Sequence, residues 1–158
     1  MVIFKNTMVP MRDGTGLATD IYRPMDAGDA LRAPMPVLLC RTPYVKDSTR
    51  YVEIADFFVP HGFVVVLQDL RGRGESEGTG QYHHVVNADD GIDGYDTIEW
   101  IAEQSWSDGR IGMVGSSFAA VVRVRAALEN PPHLTAIWPD VTPTNSYLHQ
   151  AREGGAMA

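Results

Sequence analysis

The chain has a single cysteine in 158 residues, so no intrachain disulfide can form. Cys40 closes the apolar run Pro36-Val37-Leu38-Leu39-Cys40, a place for a small buried thiol. Positive charge is also scarce: 13 Lys and Arg against 20 Asp and Glu give a formal net charge of -7, and no basic run offsets it. That balance argues against nucleic acid or an anionic membrane surface as a partner, since both need basic patches. No stretch approaches the ~18 apolar residues of a membrane span. The first ten residues hold one Lys and then turn polar, without the apolar core of a signal peptide, so a cytoplasmic location is expected. The glycine-rich residues 71–80 lack both Gly-Lys-Ser/Thr and the G-x-G-x-x-G spacing, which removes the case for a phosphate cradle. His83 and His84 stand near Asp89 and Asp90, but they are consecutive rather than one helical turn apart, and read as a solvated loop rather than a metal site. No cofactor and no metal is expected.

What is present is the composition of a globular domain, 44% hydrophobic and 21% charged, of a length that suits one core. Residues 4–11 and 17–22 read as two short strands around Arg12-Asp13-Gly14, and residues 24–34 as a surface loop. Residues 35–40 and 63–67 are nearly continuous apolar runs, as expected of strands covered on both faces. Between them residues 51–59 suit a helix stopped by Pro60 and Gly62. Ile92, Tyr95, Ile98, Ile101 and Ala102 recur at helical spacing. Asp89, Asp90, Asp93 and Asp96 crowd that segment's start, where negative charge suits the helix dipole. A strand over 111–114, a helix over 118–128 stopped by Pro131-Pro132, and a strand over 134–138 complete the pattern. Strands alternating with helices imply crossover units and an α/β fold with a mainly parallel sheet flanked by helices, preceded by an N-terminal β-hairpin. With no closing strand after residue 143, that sheet is expected to be incomplete.

The segment with chemistry is Gly115-Ser116-Ser117-Phe118-Ala119, between the third buried strand and the third helix. A serine hydroxyl is a weak nucleophile until a base takes its proton and the backbone presents it. The α/β-hydrolase solution is a sharp strand-to-helix turn with small residues two positions either side of the serine. Gly115 and Ala119 satisfy this for Ser117, whereas Ser116 lacks small residues at both flanks. The competing account of Ser117 is an ordinary helix N-cap.

Four runs together resemble the cocaine-esterase-like hydrolases and their relatives, the X-prolyl dipeptidyl-peptidases and α-amino-acid ester hydrolases. They are Met8-Val9-Pro10-Met11-Arg12-Asp13-Gly14 with residues 17–24, Arg41-Thr42-Pro43-Tyr44-Val45-Lys46, residues 68–78 from Gln68-Asp69 to Gly78, and residues 109–118 ending in Gly115-Ser116-Ser117-Phe118. They follow the family's order over most of the chain. The resemblance implies an α/β-hydrolase fold, Tyr44 as the hydroxyl donor of an oxyanion hole and the Phe118 backbone N–H as its second donor. Phe118 replaces the tyrosine common in the family, but only its main chain is needed. Without the resemblance, Tyr44 reads as a turn tyrosine covering the core. For residues 69–78 the resemblance implies a structural loop near the site's rim, with Asp69 and Arg71 pairing locally.

A hydrolytic triad also needs an acid and a histidine, which in this fold follow the serine in the order acid, then histidine. After Ser117 come only His133, in a helix-to-strand connection that suits a surface role, and His149. A Ser117, Asp140, His149 triad has the right order but lacks the strands that carry the family's acid and base. In the family those partners lie far downstream, past a helical cap. The expected organisation is therefore the N-terminal part of a hydrolase domain over residues 1–143 and the truncated start of a cap over 144–158. The expected function is a serine hydrolase cleaving a carboxylic ester or an N-terminal peptide amide through an acyl-serine, inactive as this chain alone. The alternative is a non-catalytic fragment that self-associates through an exposed sheet edge.

Overall fold

Strand β1 (Val2–Pro10) turns into β2 (Gly16–Arg23) in the computed structural model, which describes residues 1–26, 28–80 and 89–142. The turn is a local product of its sequence: the Asp13 carboxylate accepts from the Thr15 N–H at 3.0 Å, and Gly14 N–H donates to Met11 O at 2.9 Å. Within residues 24–34, expected as plain loop, β3 (Met25–Asp26) and β4 (Asp29–Ala30) form a two-residue antiparallel ladder. That ladder is too short to leave an alternating pattern. The chain continues through β5 (Met35–Thr42), α1 (Thr49–Phe58), one 3-10 turn (Val59–His61) that absorbs Pro60, and β6 (Val64–Asp69). Then come α2 (Asp90–Ala102), β7 (Ser107–Met113), α3 (Phe118–Leu128) and β8 (Leu134–Ile137).

Six strands make one sheet in the order β1-β2-β6-β5-β7-β8. Strand β5 pairs in parallel with both β6 and β7, and β7 with β8. The hairpin attaches antiparallel through β2 to β6. The period of two along the central strands sorts their apolar residues to the two faces. Val64, Val66, Val37, Leu39, Ile111 and Met113 pack with Ile98, Ile101 and Ala126 of α2 and α3. Val65, Leu67 and Cys40 pack on the opposite face with Tyr51 and Ala55 of α1. Each such valine or leucine contributes about 1.5–3 kcal/mol on full burial. Covering both faces explains why these strands read as unbroken apolar runs. Their parallel pairing sends the C-terminal ends of β5, β6, β7 and β8 to one edge of the sheet, where the candidate site lies. The cap expected over 144–158 lies outside the described residues.

Candidate active site

Ser117 joins β7 to α3 with φ 59° and ψ -124°, a left-handed conformation that a residue with a side chain adopts only under constraint. The constraints are visible. Its N–H donates to Asp140 O at 3.1 Å, and its own carbonyl accepts from Ala120 N–H at 2.8 Å and Val121 N–H at 3.2 Å in the first turn of α3. The turn is so tight that a Cβ at Gly115, itself at φ 133°, would stand 2.9 Å from Ala119 Cβ and 3.2 Å from Cys40 Sγ. Small residues on both sides of the serine are thus one requirement, since two methyl groups could not face each other across the turn. Alanine is accepted at 119 because glycine stands opposite. The Ser117 side of the turn is exposed. Its side chain makes no helix-capping hydrogen bond, so the N-cap account loses its basis.

Tyr44 follows β5, the strand next to β7, and lies 43% exposed. Its ring meets that of Phe118 edge to face, with centroids 6.4 Å apart. The structure therefore brings together all three residues singled out in the sequence. The Phe118 N–H sits at the first helical position, where no intrahelical acceptor exists.

The loop carrying Tyr44 is fastened from below. Tyr44 N–H donates to Thr42 Oγ1 at 3.0 Å, and Lys46 N–H to Asp69 Oδ1 at 2.7 Å. The Lys46 ammonium, 2% exposed, donates to Asn6 Oδ1 at 2.7 Å and to Asp69 Oδ2 at 3.4 Å, with Asp20 Oδ1 at 3.6 Å. Asp69 also accepts from Glu75 N–H, and a Cβ on Gly74 would stand 2.1 Å from its carboxylate. That approach, with φ 49° at Gly74, gives the loop after β6 its need for glycine.

Asp69 and Arg71 do not pair with each other. The Arg71 guanidinium instead forks onto Asp93 of α2, at 2.7 and 3.0 Å, and reaches Asp13 and Thr15 of the hairpin turn at 2.7 Å each. The Asp13 carboxyl is held well below the usual carboxylate range, first by the Arg71 hydrogen bond and then by the Thr15 N–H. Asp93 and Asp96 thus serve specific arginines, Arg71 and Arg12, beyond any general fit to the helix dipole. Lys46, Asp20 and Arg71 support the site without any local sequence signal, because their partners are 14 or more residues away.

Burial pushes the Cys40 thiol up to about 12, with Arg123 and Arg50 opposing, so it stays protonated and unreactive at neutral pH. Of the histidines with described surroundings, His61 contacts Phe57 O and His133 pairs with Glu99 at 2.8 Å, as its expected surface role requires. His83, His84 and His149 lie outside the described residues. A cavity of about 560 Å³ opens beside the turn on the α1 face, between Leu38, Ile54, Phe58, Val114 and Trp138, and it reaches Ser116 rather than Ser117.

A mostly parallel sheet between helices, with an antiparallel hairpin on one edge and a strained serine at a strand-to-helix turn, is the arrangement of an α/β-hydrolase. The family model described as X-Pro dipeptidyl-peptidase (S15 family) matches residues 13–158, and the chain belongs to that family. It is 42% identical to the cocaine esterase of Rhodococcus sp. (strain MB1 Bresler) over 153 residues, 92% of this chain and 24% of that protein. A solved CocE/NonD family hydrolase from Staphylococcus aureus superposes with a TM-score of 0.74 at 32% identity, over 88% of this chain and 27% of the other. An α-amino acid ester hydrolase gives 0.70, also at 32% identity, over 87% of this chain and 25% of the other. The chain thus spans about a quarter of the length of the relatives it matches. Its relatives are esterases and peptidases, which makes this a chain of a hydrolase family. No helix among the described residues is long and apolar enough to cross a membrane.

Proposed function

We propose that Ser117 is the nucleophile of an acyl-transfer hydrolase acting on a carboxylic ester or on the amide that releases an N-terminal dipeptide. In this reading the Ser117 Oγ attacks the carbonyl carbon and its proton passes to a base. The alcohol or amine leaves with a proton, and water then hydrolyses the acyl-serine. The Tyr44 hydroxyl and the Phe118 N–H hold the developing oxyanion, each contributing about 3–4 kcal/mol when preorganised. The observation that carries the reading is the exposed Ser117 at φ 59°, beside the Tyr44 and Phe118 ring pair. The substrate classes rest on the names of the relatives, an esterase, an ester hydrolase and X-Pro dipeptidyl-peptidases. A small-molecule ester or short peptide is the partner this implies; the cytoplasm is the location proposed.

The base and its acid are assigned to residues beyond these 158, since the chain spans about a quarter of the length of its relatives and His61 and His133 are engaged elsewhere. The 158-residue chain by itself is then expected to show no steady hydrolysis of p-nitrophenyl acetate above a Ser117→Ala control. It is still expected to be labelled slowly by a fluorophosphonate, because the turn exposes the Ser117 hydroxyl and the oxyanion donors favour the phosphonylation transition state. A burst and steady turnover lost in Ser117→Ala would overturn the assignment of the base. Equal labelling of wild type and Ser117→Ala would overturn the nucleophile.

A second reading is a non-catalytic fragment that self-associates. Among the described residues β8 pairs only with β7, and Trp138 and Leu128 are 73% and 69% exposed beside it. Size-exclusion chromatography separates the two: a labelled monomer supports the enzyme fragment, and unlabelled aggregates support the alternative.

A further inference from the structure

Beneath the serine turn lies a cation that the proposed chemistry does not use. Arg123, on α3, is fully buried, yet no salt bridge is formed by its guanidinium among the described residues. Its Nη1 donates to two main-chain carbonyls instead, Met113 O at 3.4 Å and Trp138 O in a close hydrogen bond. Its Nη2 lies 3.8 Å from where a Gly115 Cβ would stand. Burial weakens the guanidinium's hold on its proton, with Cys40 and Asp140 opposing.

Those two carbonyls mark the last turns of neighbouring strands. Met113 ends β7, two residues before Gly115, and its carbonyl also accepts from Trp138 N–H at 3.1 Å. Trp138 follows β8 and is two residues from Asp140, whose carbonyl holds the Ser117 N–H. Ser116 bridges the same Asp140. Residues 138–140 are therefore a strap across the serine turn, fixed at one end by Ser117 and at the other by Arg123. A left-handed serine persists only where its surroundings over-determine it. Burying an arginine without a carboxylate partner is costly in folding, which makes the side chain's sole described use, gripping the strap, more telling.

We infer that Arg123 is a positioning residue for Ser117: by holding Met113 O and Trp138 O together it fixes the strap that receives the Ser117 N–H. This rests on Ser117 being the nucleophile. Misplacing a reacting group by an ångström can cost about a hundredfold in rate. Arg123→Met keeps the bulk and removes the donors. In the 158-residue chain it is expected to slow fluorophosphonate labelling of Ser117 about tenfold or more and to speed exchange of the Ser117 amide hydrogen by a similar factor. The amides of Leu39 and Val66 in the central strands should keep their wild-type protection, which a general loss of folding would not allow. Arg123→Lys keeps the charge and a single donor nitrogen, so it is expected to fold and to restore part of both. If Arg123→Met does not fold, Arg123→Lys decides alone, with labelling and exchange both intermediate. Unchanged labelling and unchanged Ser117 exchange in either folded variant would overturn the inference while leaving the nucleophile intact. Failure of the wild type to label would instead remove the nucleophile and the inference together, whatever the amide exchange showed.

Discussion

At the end of β5 the loop that carries Tyr44 is tied down by charges in the interior: Lys46 against Asp69 and Asp20, with Arg71 and Asp93 completing the fastening between hairpin and α2. At the end of β7 the turn that carries Ser117 is held by main-chain hydrogen bonds and by one arginine gripping carbonyls. The first region is covered by its own chain, with β2 and β6 buried along nearly their whole length. In the second, β8 is half-buried to exposed, and Trp138 and Val141 are each 73% exposed. The contrast separates two ways of placing a functional group. Buried ion pairs hold a loop from within, while a strained turn is held mainly by hydrogen bonds to main-chain carbonyls that need little from the surrounding surface.

The sharpest break in that contrast is Lys46→Met. It strands the carboxylates of Asp20 and Asp69, which are 1% and 0% exposed, and an uncompensated buried charge costs about 3–5 kcal/mol. Urea unfolding should report a loss of that size, and a loss under about 1 kcal/mol would mean that the Tyr44 loop is not held by this network.

Next in size is the outer tie, Arg71 with Asp13. The folded state depresses the Asp13 carboxyl below its ordinary value of 3.8, so its stabilisation is present above that pH and is lost as pH falls through the depressed value. Thermal midpoints should therefore fall more steeply in wild type than in Asp13→Asn over about pH 4 to 2. Parallel curves would remove the tie from the account. The smallest effect belongs to the open side: Trp138→Ser should change stability by no more than about 0.5 kcal/mol in the same urea experiment, because the ring is largely solvent-covered. A large loss there would show that the β8 side is packed as tightly as the β5 side.

The same contrast explains what was legible in the sequence. Strands β5 and β6 announce themselves as apolar runs, and α3 begins and ends at the expected residues, Phe118 and Leu128, whereas β7 starts at Ser107, ahead of the expected 111–114, in the polar run Ser107-Asp108-Gly109-Arg110. The serine turn was legible too, because its tightest requirement is local: Gly115 and Ala119 face each other within five residues, although Cys40 Sγ also presses on the Gly115 position. The buried ionic frame was not. Asp69 and Arg71 are near neighbours in sequence, and proximity alone suggests a pair. The turn at Leu70 sends them to Lys46 and Asp93, choices set by which strands lie side by side. Arg123 shows the same limit, since within an apolar helix nothing marks it as facing Met113 O and Trp138 O. Patterns that depend on one element's period can be read from sequence, whereas partners that depend on sheet order cannot.

The central claim is that the turn presents Ser117, and not its neighbour Ser116, for acyl transfer. Peptide mapping by mass spectrometry after prolonged fluorophosphonate exposure tests it most directly. The account predicts a single adduct on Ser117 that disappears in Ser117→Ala without moving to Ser116. An adduct on Ser116, or one distributed over several surface serines, would contradict it.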